Sequence, residues 1–306
     1  MRVLVTGGAG FIGSHIVDHL IGAGAAVVVV DNLSTGREEN LHPRAQFYNI
    51  DITDPALSEV FAREQPEVAI HEAAQASVDI SVTSPEADAE TNILGTLNLL
   101  EAARTAGTRK VVYASSAAVY GEPAYLPIDE AHPVAPLSPY GASKFTPELY
   151  LAAYRRLYGL DYVALRYANV YGPRQDALGE GGVVAVFAGR LCRGEHLEIH
   201  GDGNQTRDFV HVEDVARANL KALESGTALV CNISTGEPTS VNELVCSFAA
   251  VTGREPAVSY GPAREGDIRH SRLDNLRARR YLDWTPVRDL KEGLEETLRF
   301  YAKTSV

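Results

Sequence analysis

With 306 residues, 45% of them hydrophobic and 22% charged, the chain has the make-up of a globular protein with one large domain and a smaller lobe. A formal charge of -12 with no basic block argues against a nucleic-acid partner, which needs a cationic footprint. No apolar run approaches the ~20 residues that cross a bilayer, so no membrane partner is expected.

Residues 2–6 form a short apolar run that stops at glycines, without the longer apolar stretch and cleavage site of a secretory signal, so a cytoplasmic location is expected. Similar β-branched runs recur at 26–31, 46–50, 68–71, 110–115 and 161–167. Between them, segments such as 87–106 and 143–157 carry Leu, Ala and Tyr at helical spacing, with charges on the remaining face. This alternation predicts the α/β class, with a doubly wound parallel sheet covered by helices. Beyond about Asn169, turns such as Gly172-Pro173-Arg174-Gln175 and Gly201-Asp202-Gly203 punctuate shorter elements of a second lobe. One more strand is expected at 228–233, and a closing helix at 290–301 with Leu290, Leu294, Leu298 and Tyr301 on one face. Cys192, Cys231 and Cys246, an odd set without close pairing, are read as reduced, buried thiols and not as disulfides, metal ligands or a nucleophile.

Gly7-Gly8-Ala9-Gly10-Phe11-Ile12-Gly13 follows the first strand and opens a helix. Glycines there allow a tight turn and close approach of backbone to a pyrophosphate, which sits at the helix N-terminus where free N–H groups favour anions. The competing reading is a glycine turn with no ligand. Asp31 ends the second strand about twenty residues on, where a carboxylate accepts from adenosine ribose hydroxyls, and this favours NAD. Arg37 nearby keeps NADP open as an alternative. Asp51, after the third run, is suited either to the adenine amino group or to capping its own strand end.

Tyr140-Gly141-Ala142-Ser143-Lys144 puts a phenol and an ammonium one turn apart if the helix starts by about Pro139. The strand-end run Ser115-Ser116-Ala117-Ala118 lies upstream. With the glycine fingerprint, this set resembles the extended short-chain dehydrogenase/reductase family over essentially the whole chain. The resemblance implies that Ser116, Tyr140 and Lys144 cooperate in hydride transfer. Tyrosine ionises near pH 10, so a phenolate at neutral pH needs roughly three units of depression, expected from Lys144 and the positive nicotinamide ring. Implied cofactor-binding residues are Gly7, Gly10, Phe11, Ile12 and Gly13 in the loop, and Asp31, Asn32, Ser34, Thr35, Gly36, Asp51 and Ile52 around the adenosine. Ala73, Ala74, Gln75, Asn92, Ser115, Tyr140, Lys144 and Tyr167 follow toward the nicotinamide. The resulting division is a Rossmann NAD-binding domain over 1–168, with a later strand at about 211–233 returning to it, and a smaller α/β lobe over 169–210 and 234–306.

Family members that eliminate water or carbon dioxide carry acidic residues where this chain has Ala117 and Ala118, which leaves reversible oxidation and reduction at one carbon. The second lobe looks like that of the UDP-galactose 4-epimerases. The resemblance assigns Arg207 and Arg264 to a diphosphate, Asp267 to the uridine ribose, Asn169 to the diphosphate or sugar, and Val183 and Ser271 to the substrate pocket. Gly182 stands where many relatives have an Asn, and Ser271 where some have a bulky Tyr, so UDP-N-acetylhexosamines become candidate substrates. A UDP-glucuronate 4-epimerase, another NAD-dependent nucleotide-sugar epimerase or dehydratase, and an inactive NAD-binding regulator remain as rivals. A homodimer formed through 87–106 and 143–157 is also implied, with core packing as the alternative use of Tyr154 and Tyr158.

Overall fold

The computed structural model describes residues 1–177, 182–225, 227–263 and 268–304. The first half runs β1 (Arg2–Thr6), α1 (Phe11–Gly22), β2 (Ala26–Asp31), β3 (Gln46–Asn49), α2 (Leu57–Glu64), β4 (Val68–His71), α3 (Val78–Thr83), α4 (Pro85–Ala89), α5 (Gly95–Ala106), β5 (Lys110–Ser116), α6 (Pro139–Tyr158) and β6 (Asp161–Tyr167). The second adds β7 (Asn169–Tyr171), α7 (Val183–Cys192), β8 (Leu197–His200), β9 (Thr206–His211), α8 (Val212–Glu224), β10 (Leu229–Ile233), β11 (Pro238–Ser240), α9 (Val241–Thr252), β12 (Val258–Gly261), α10 (Leu276–Leu282) and α11 (Leu290–Thr304).

Among the described residues, seven strands form one parallel sheet in the order β10-β6-β5-β4-β1-β2-β3. Alternate side chains go to opposite faces: Val3 and Val5 pack with Ile16, Val17 and Val215 of α1 and α8, and Leu4 with Phe61, Leu99 and Leu151 of α2, α5 and α6. Because both faces are covered, the strands read as unbroken apolar runs. β1 pairs with both β2 and β4, so the strand order reverses there and a crevice opens beyond the carboxyl ends. Two smaller sheets, β11-β9-β7 and β12-β8, join α7, α9 and α11 around Phe187, Phe209, Phe248 and Leu294.

Three expectations change. The helix expected over 87–106 is interrupted, because Glu90–Leu94 widen into a π turn between α4 and α5. The stretch at 211–233 is mostly the helix α8, and only β10 at its end joins the sheet, parallel to β6 from Val163 to Tyr167. The three thiols are unpaired, but they are not all buried: Cys231 is, Cys192 is half-buried, and Cys246 is exposed. Cys246 lies on the side of amphipathic α9 opposite Leu244, Val245 and Phe248.

Candidate active site

The carboxyl ends of β1, β2, β4, β5 and β6 share one edge, and the candidate residues gather along it. After β1 the chain turns at Gly7, whose φ of +69° and closeness to Ala73, 2.6 Å from where a Cβ would lie, exclude a side chain. α1 then starts with no side-chain cap on Gly10 and no acid in its first turn. Its first N–H groups, from Phe11 to Gly13, have no partner within the helix and face outward as an anion site.

At the end of β2 the buried Asp31 carboxylate accepts from Ala9 N at 2.9 Å and Leu33 N at 2.8 Å, tying the glycine loop to the next loop. Each oxygen keeps a lone pair for a further donor. Exposed Asn32, Ser34 and Thr35 and half-buried Gly36 surround it. Asp51 accepts from the Thr53 hydroxyl and N–H and from Asn32 Nδ2. Partial burial pushes its carboxyl up, and those bonds more than offset this and hold it below the ordinary value. Ile52 beside it is buried.

Beyond β4, the loop of Ala73, Ala74 and Gln75 is pinned by Asn92. The Asn92 amide accepts from Gln75 N at 2.8 Å and donates to Gln75 O and Ser143 Oγ, each at 2.9 Å. The π turn places Asn92 in this seam, where it is buried and occupied by protein partners.

α6 is capped by Ser138, which accepts from Gly141 N at 3.1 Å, and has Pro139 as its first residue. A Cβ on Gly141 would lie 2.6 Å from Ala118 O. Its absence lets the first turn of α6 rest on the backbone just after β5, which brings the Tyr140 phenol into the neighbourhood of Ser116. Burial pushes the Tyr140 phenol above its ordinary 10, the nearby Ser116 hydroxyl pulls it down, and the carboxylates of Asp88 and Glu72 add to the rise. One turn on, Lys144 Nζ donates to Ala114 O at 2.7 Å and stands 5.3 Å over the Tyr113 ring. Burial pulls this ammonium down to about 8, against the opposing pull of Glu72 and Asp88.

A further turn on, buried Glu148 pairs with Arg166 of β6 through two bonds of 2.9 and 2.6 Å and accepts from Ser115 Oγ at 2.6 Å. The Ser115 hydroxyl is thereby directed at Glu148, while Arg166 also lies 4.8 Å over the Tyr120 ring. The Tyr167 hydroxyl is likewise engaged, donating to Glu72 Oε1 at 2.7 Å.

In the second lobe, Asn169 begins β7 opposite Phe209 of β9. Arg207 lies on β9 and donates to Thr206 O at 2.8 Å, and Ser271 N bonds the same carbonyl at 3.1 Å. Asn169, Arg207 and Ser271 are therefore carried by one small sheet and the segment against it. Val183 opens α7, with Gly182 as its N-cap and no side-chain bond there. Arg264 and Asp267 lie outside the described residues.

Four acidic residues at these seams escaped the sequence reading. Asp88 accepts from Gln75 and Asn92. Asp208 accepts from Thr235, Gly236 and Leu273, holding the 271–273 segment on β9. Glu72 accepts from Tyr167, and Glu148 from Ser115 and Arg166. Glu148 alone left a signal, falling at the same four-residue spacing from Lys144 as Lys144 does from Tyr140.

Residues 3–234 match the NAD dependent epimerase/dehydratase family. The fold is similar to that of the UDP-glucose 4-epimerase of Thermotoga maritima, solved with UDP-glucose, at 49% identity and a TM-score of 0.98 over 100% of both chains. It is similar to the Thermus thermophilus UDP-glucose 4-epimerase in complex with NAD, at 44% identity and a TM-score of 0.93 over 98% of this chain and 99% of that one. It is also similar to a UDP-N-acetylglucosamine 4-epimerase from Methanobrevibacter ruminantium in complex with UDP-N-acetylmuramic acid, at 39% identity and a TM-score of 0.95 over 99% of this chain and 98% of that one.

Removing the Glu148 carboxylate leaves Arg166 buried without its counter-charge. Glu148→Ala is therefore expected to lower unfolding stability by about 3–5 kcal/mol, measured by urea denaturation.

Proposed function

The chain belongs to the NAD dependent epimerase/dehydratase family, and from that premise we propose that it interconverts UDP-galactose and UDP-glucose by inverting C4 through a transient 4-keto sugar. The observation that carries this reading is the packing of the first turn of α6, with Tyr140, on the strand end of Ser116, followed by Ala117 and Ala118 where elimination would need carboxylates. The uncapped start of α1, the bare turn at Gly7 and the Asp31 carboxylate fit a dinucleotide. The loop from Gly7 to Gly13 would hold its pyrophosphate and Asp31 its ribose hydroxyls. When bound, NAD supplies a reversible hydride acceptor.

Tyr140 takes the proton of the sugar 4-hydroxyl and later returns it, and Ser116 keeps that oxygen aligned. Lys144, one helical turn on, and the positive nicotinamide ring would together supply the charge that offsets the upward push of burial on the phenol. Residues 1–168 and 211–233 form the cofactor half of this reading, and 169–210 with 234–306 the sugar half. There Arg207 and Arg264 hold the diphosphate, Asn169 the diphosphate or the sugar, and Asp267 the uridine ribose, so that the hexose can turn and present its other face. The small Ser271 supports acceptance of a C2 N-acetyl group, and one similar fold belongs to a UDP-N-acetylglucosamine 4-epimerase.

A homodimer is part of the proposal. Leu94, Leu149, Leu157 and Tyr158, on the π turn and α6, are 54–67% exposed, whereas Tyr154 packs into its own core. The unpaired thiols support a cytoplasmic setting.

Tyr140→Phe is expected to lower kcat by more than about a hundredfold while NAD affinity stays near that of the parent. With the parent, kcat/KM is expected to be highest for UDP-galactose and measurable for UDP-GlcNAc. A higher value for UDP-galacturonate would replace the substrate assignment, and no turnover of UDP-GlcNAc at high concentration would remove the role given to Ser271. In light scattering the parent is expected at dimer mass and Leu157→Asp at monomer mass; a monomeric parent would sink the dimer.

A further inference from the structure

Between β5 and α6 the chain makes a long excursion, residues 117–138, and its middle reaches the segment between β12 and α10. Ile128 pairs there in parallel with Leu273: Ile128 N donates to Arg272 O at 2.9 Å, and Asp274 N to Ile128 O at 2.8 Å. The Leu273 side chain is fully buried with Val119, Tyr120 and Ile128, and Ala117 and Phe145 pack against the same cluster. The N–H groups of Ser271 and Leu273 both turn to β9, bonding Thr206 O at 3.1 Å and Asp208 Oδ2 at 3.3 Å, as in an extended segment. Residues two apart in such a segment share a side. Ser271 therefore stands on the side that Leu273 turns to the strand end of Ser116.

One side chain clasps both partners of this pairing. Asn232 on β10 is fully buried, and its Nδ2 donates to Ile128 O at 3.0 Å and to Asp274 O at 3.1 Å. Its Oδ1 accepts from the Tyr120 hydroxyl at 2.7 Å, and its backbone N–H donates to Glu130 Oε1 at 2.7 Å. Two carbonyls can only accept, so the amide has a single orientation with every bond made. The Tyr120 ring lies under the Arg166 guanidinium, which is paired with Glu148 of α6, so the linkage runs from the helix of Tyr140 to the segment of Ser271. We propose that Asn232 is a positioning residue that sets how far Ser271 stands from the strand end of Ser116, and so the size of the sugar substituent admitted.

The segment has a second set of anchors, and they differ in kind. Asp208 belongs to β9 of the same lobe and travels with the segment, while Asn232 belongs to the large sheet. Ser234, just past β10, adds a longer bond to Leu273 O at 3.3 Å. Loss of the Asn232 amide therefore leaves the segment on β9 but frees it from the strand end. Ser116, Tyr140 and Lys144 stand on β5 and α6, outside the clasp, so binding and selectivity change more than the chemical step. The part given to Ser271 rests on the proposed function; the hold of Asn232 on the segment does not.

Asn232→Asp keeps the shape and the acceptor for Tyr120 but sets an oxygen against both carbonyls. Amide hydrogen exchange of the NAD-loaded protein is expected to quicken at Ile128 and Asp274, whose N–H groups close the pairing, and to stay unchanged in β4 and β5. KM for UDP-galactose is expected to rise about tenfold, with kcat within about threefold of the parent and NAD affinity unmoved. The ratio of kcat/KM for UDP-GlcNAc to that for UDP-galactose is expected to rise about threefold or more. Tyr120→Phe, which removes only the donor to Oδ1 and keeps the ring under Arg166, should give smaller shifts in the same directions, and it carries the test if Asn232→Asp does not fold. Unchanged exchange at Ile128 and Asp274, or quicker exchange with an unmoved ratio, would overturn the proposal. So would losses of kcat and NAD affinity as large as the rise in KM, the mark of general loosening. A parent that turns over neither sugar would remove the proposed function instead, and exchange at Ile128 and Asp274 would still decide whether Asn232 holds the segment.

Discussion

The ammonium of Lys144 has left water, and much of the surrounding architecture makes that tolerable. Desolvating a charge costs several kcal/mol even after relaxation, and the first response of a lysine is to give up its proton. The carbonyl of Ala114, the face of Tyr113 and nearby carboxylates act against that response, and each needs a rigid support. β5 supplies the first two as part of a sheet covered on both sides. The Tyr113 hydroxyl in turn bonds the backbone of Lys144 at 3.2 Å, so helix and strand hold each other in register.

The same helix carries its polar residues at four-residue intervals, and each interval has a different partner. Tyr140 is brought to the strand end of Ser116 where Gly141 allows close approach, Lys144 meets β5, and Glu148 meets Arg166 of β6. Sliding α6 would break all three at once. From the opposite side Asn92 joins the loop after β4 to Ser143, so α6 is fixed by contacts with β4, β5 and β6. Proton transfer depends on distances of a few tenths of an ångström, and a site spread over strand ends gains such constancy from the sheet.

Much of this was legible in the chain. The glycine loop shows itself because only one residue type tolerates that turn, and Tyr140 with Lys144 because helical spacing puts them on one face. The seven strands of the large sheet end within a residue of where their apolar runs end. The π turn at Glu90–Leu94 could not be read, since one widened turn barely disturbs a helical pattern. Glu72 was hidden for a different reason: a lone charge after an apolar run looks like a solvated strand end, and only the packing of β6 and α8 turns it inward. Ser115 and Asn92 are cofactor-binding residues only as the resemblance implies, and the structure adds that their side chains also bond Glu148, Gln75 and Ser143. Spacing locates a residue on an edge but says nothing of which neighbour has already claimed its hydrogen bonds.

The position of β10 has a consequence for how the chain is made. It lies beside β6 in the sheet but more than sixty residues later in sequence, after β7, β8 and β9 of the other lobe. During synthesis β6 therefore emerges as an open edge, its backbone groups unpaired, and remains so until residue 233 has left the ribosome. α8, which covers the adjoining face, arrives in the same interval. The nascent cofactor half cannot close until β7, β8 and β9 of the sugar half have been made, and premature release before that point would leave a strand free to pair with another chain.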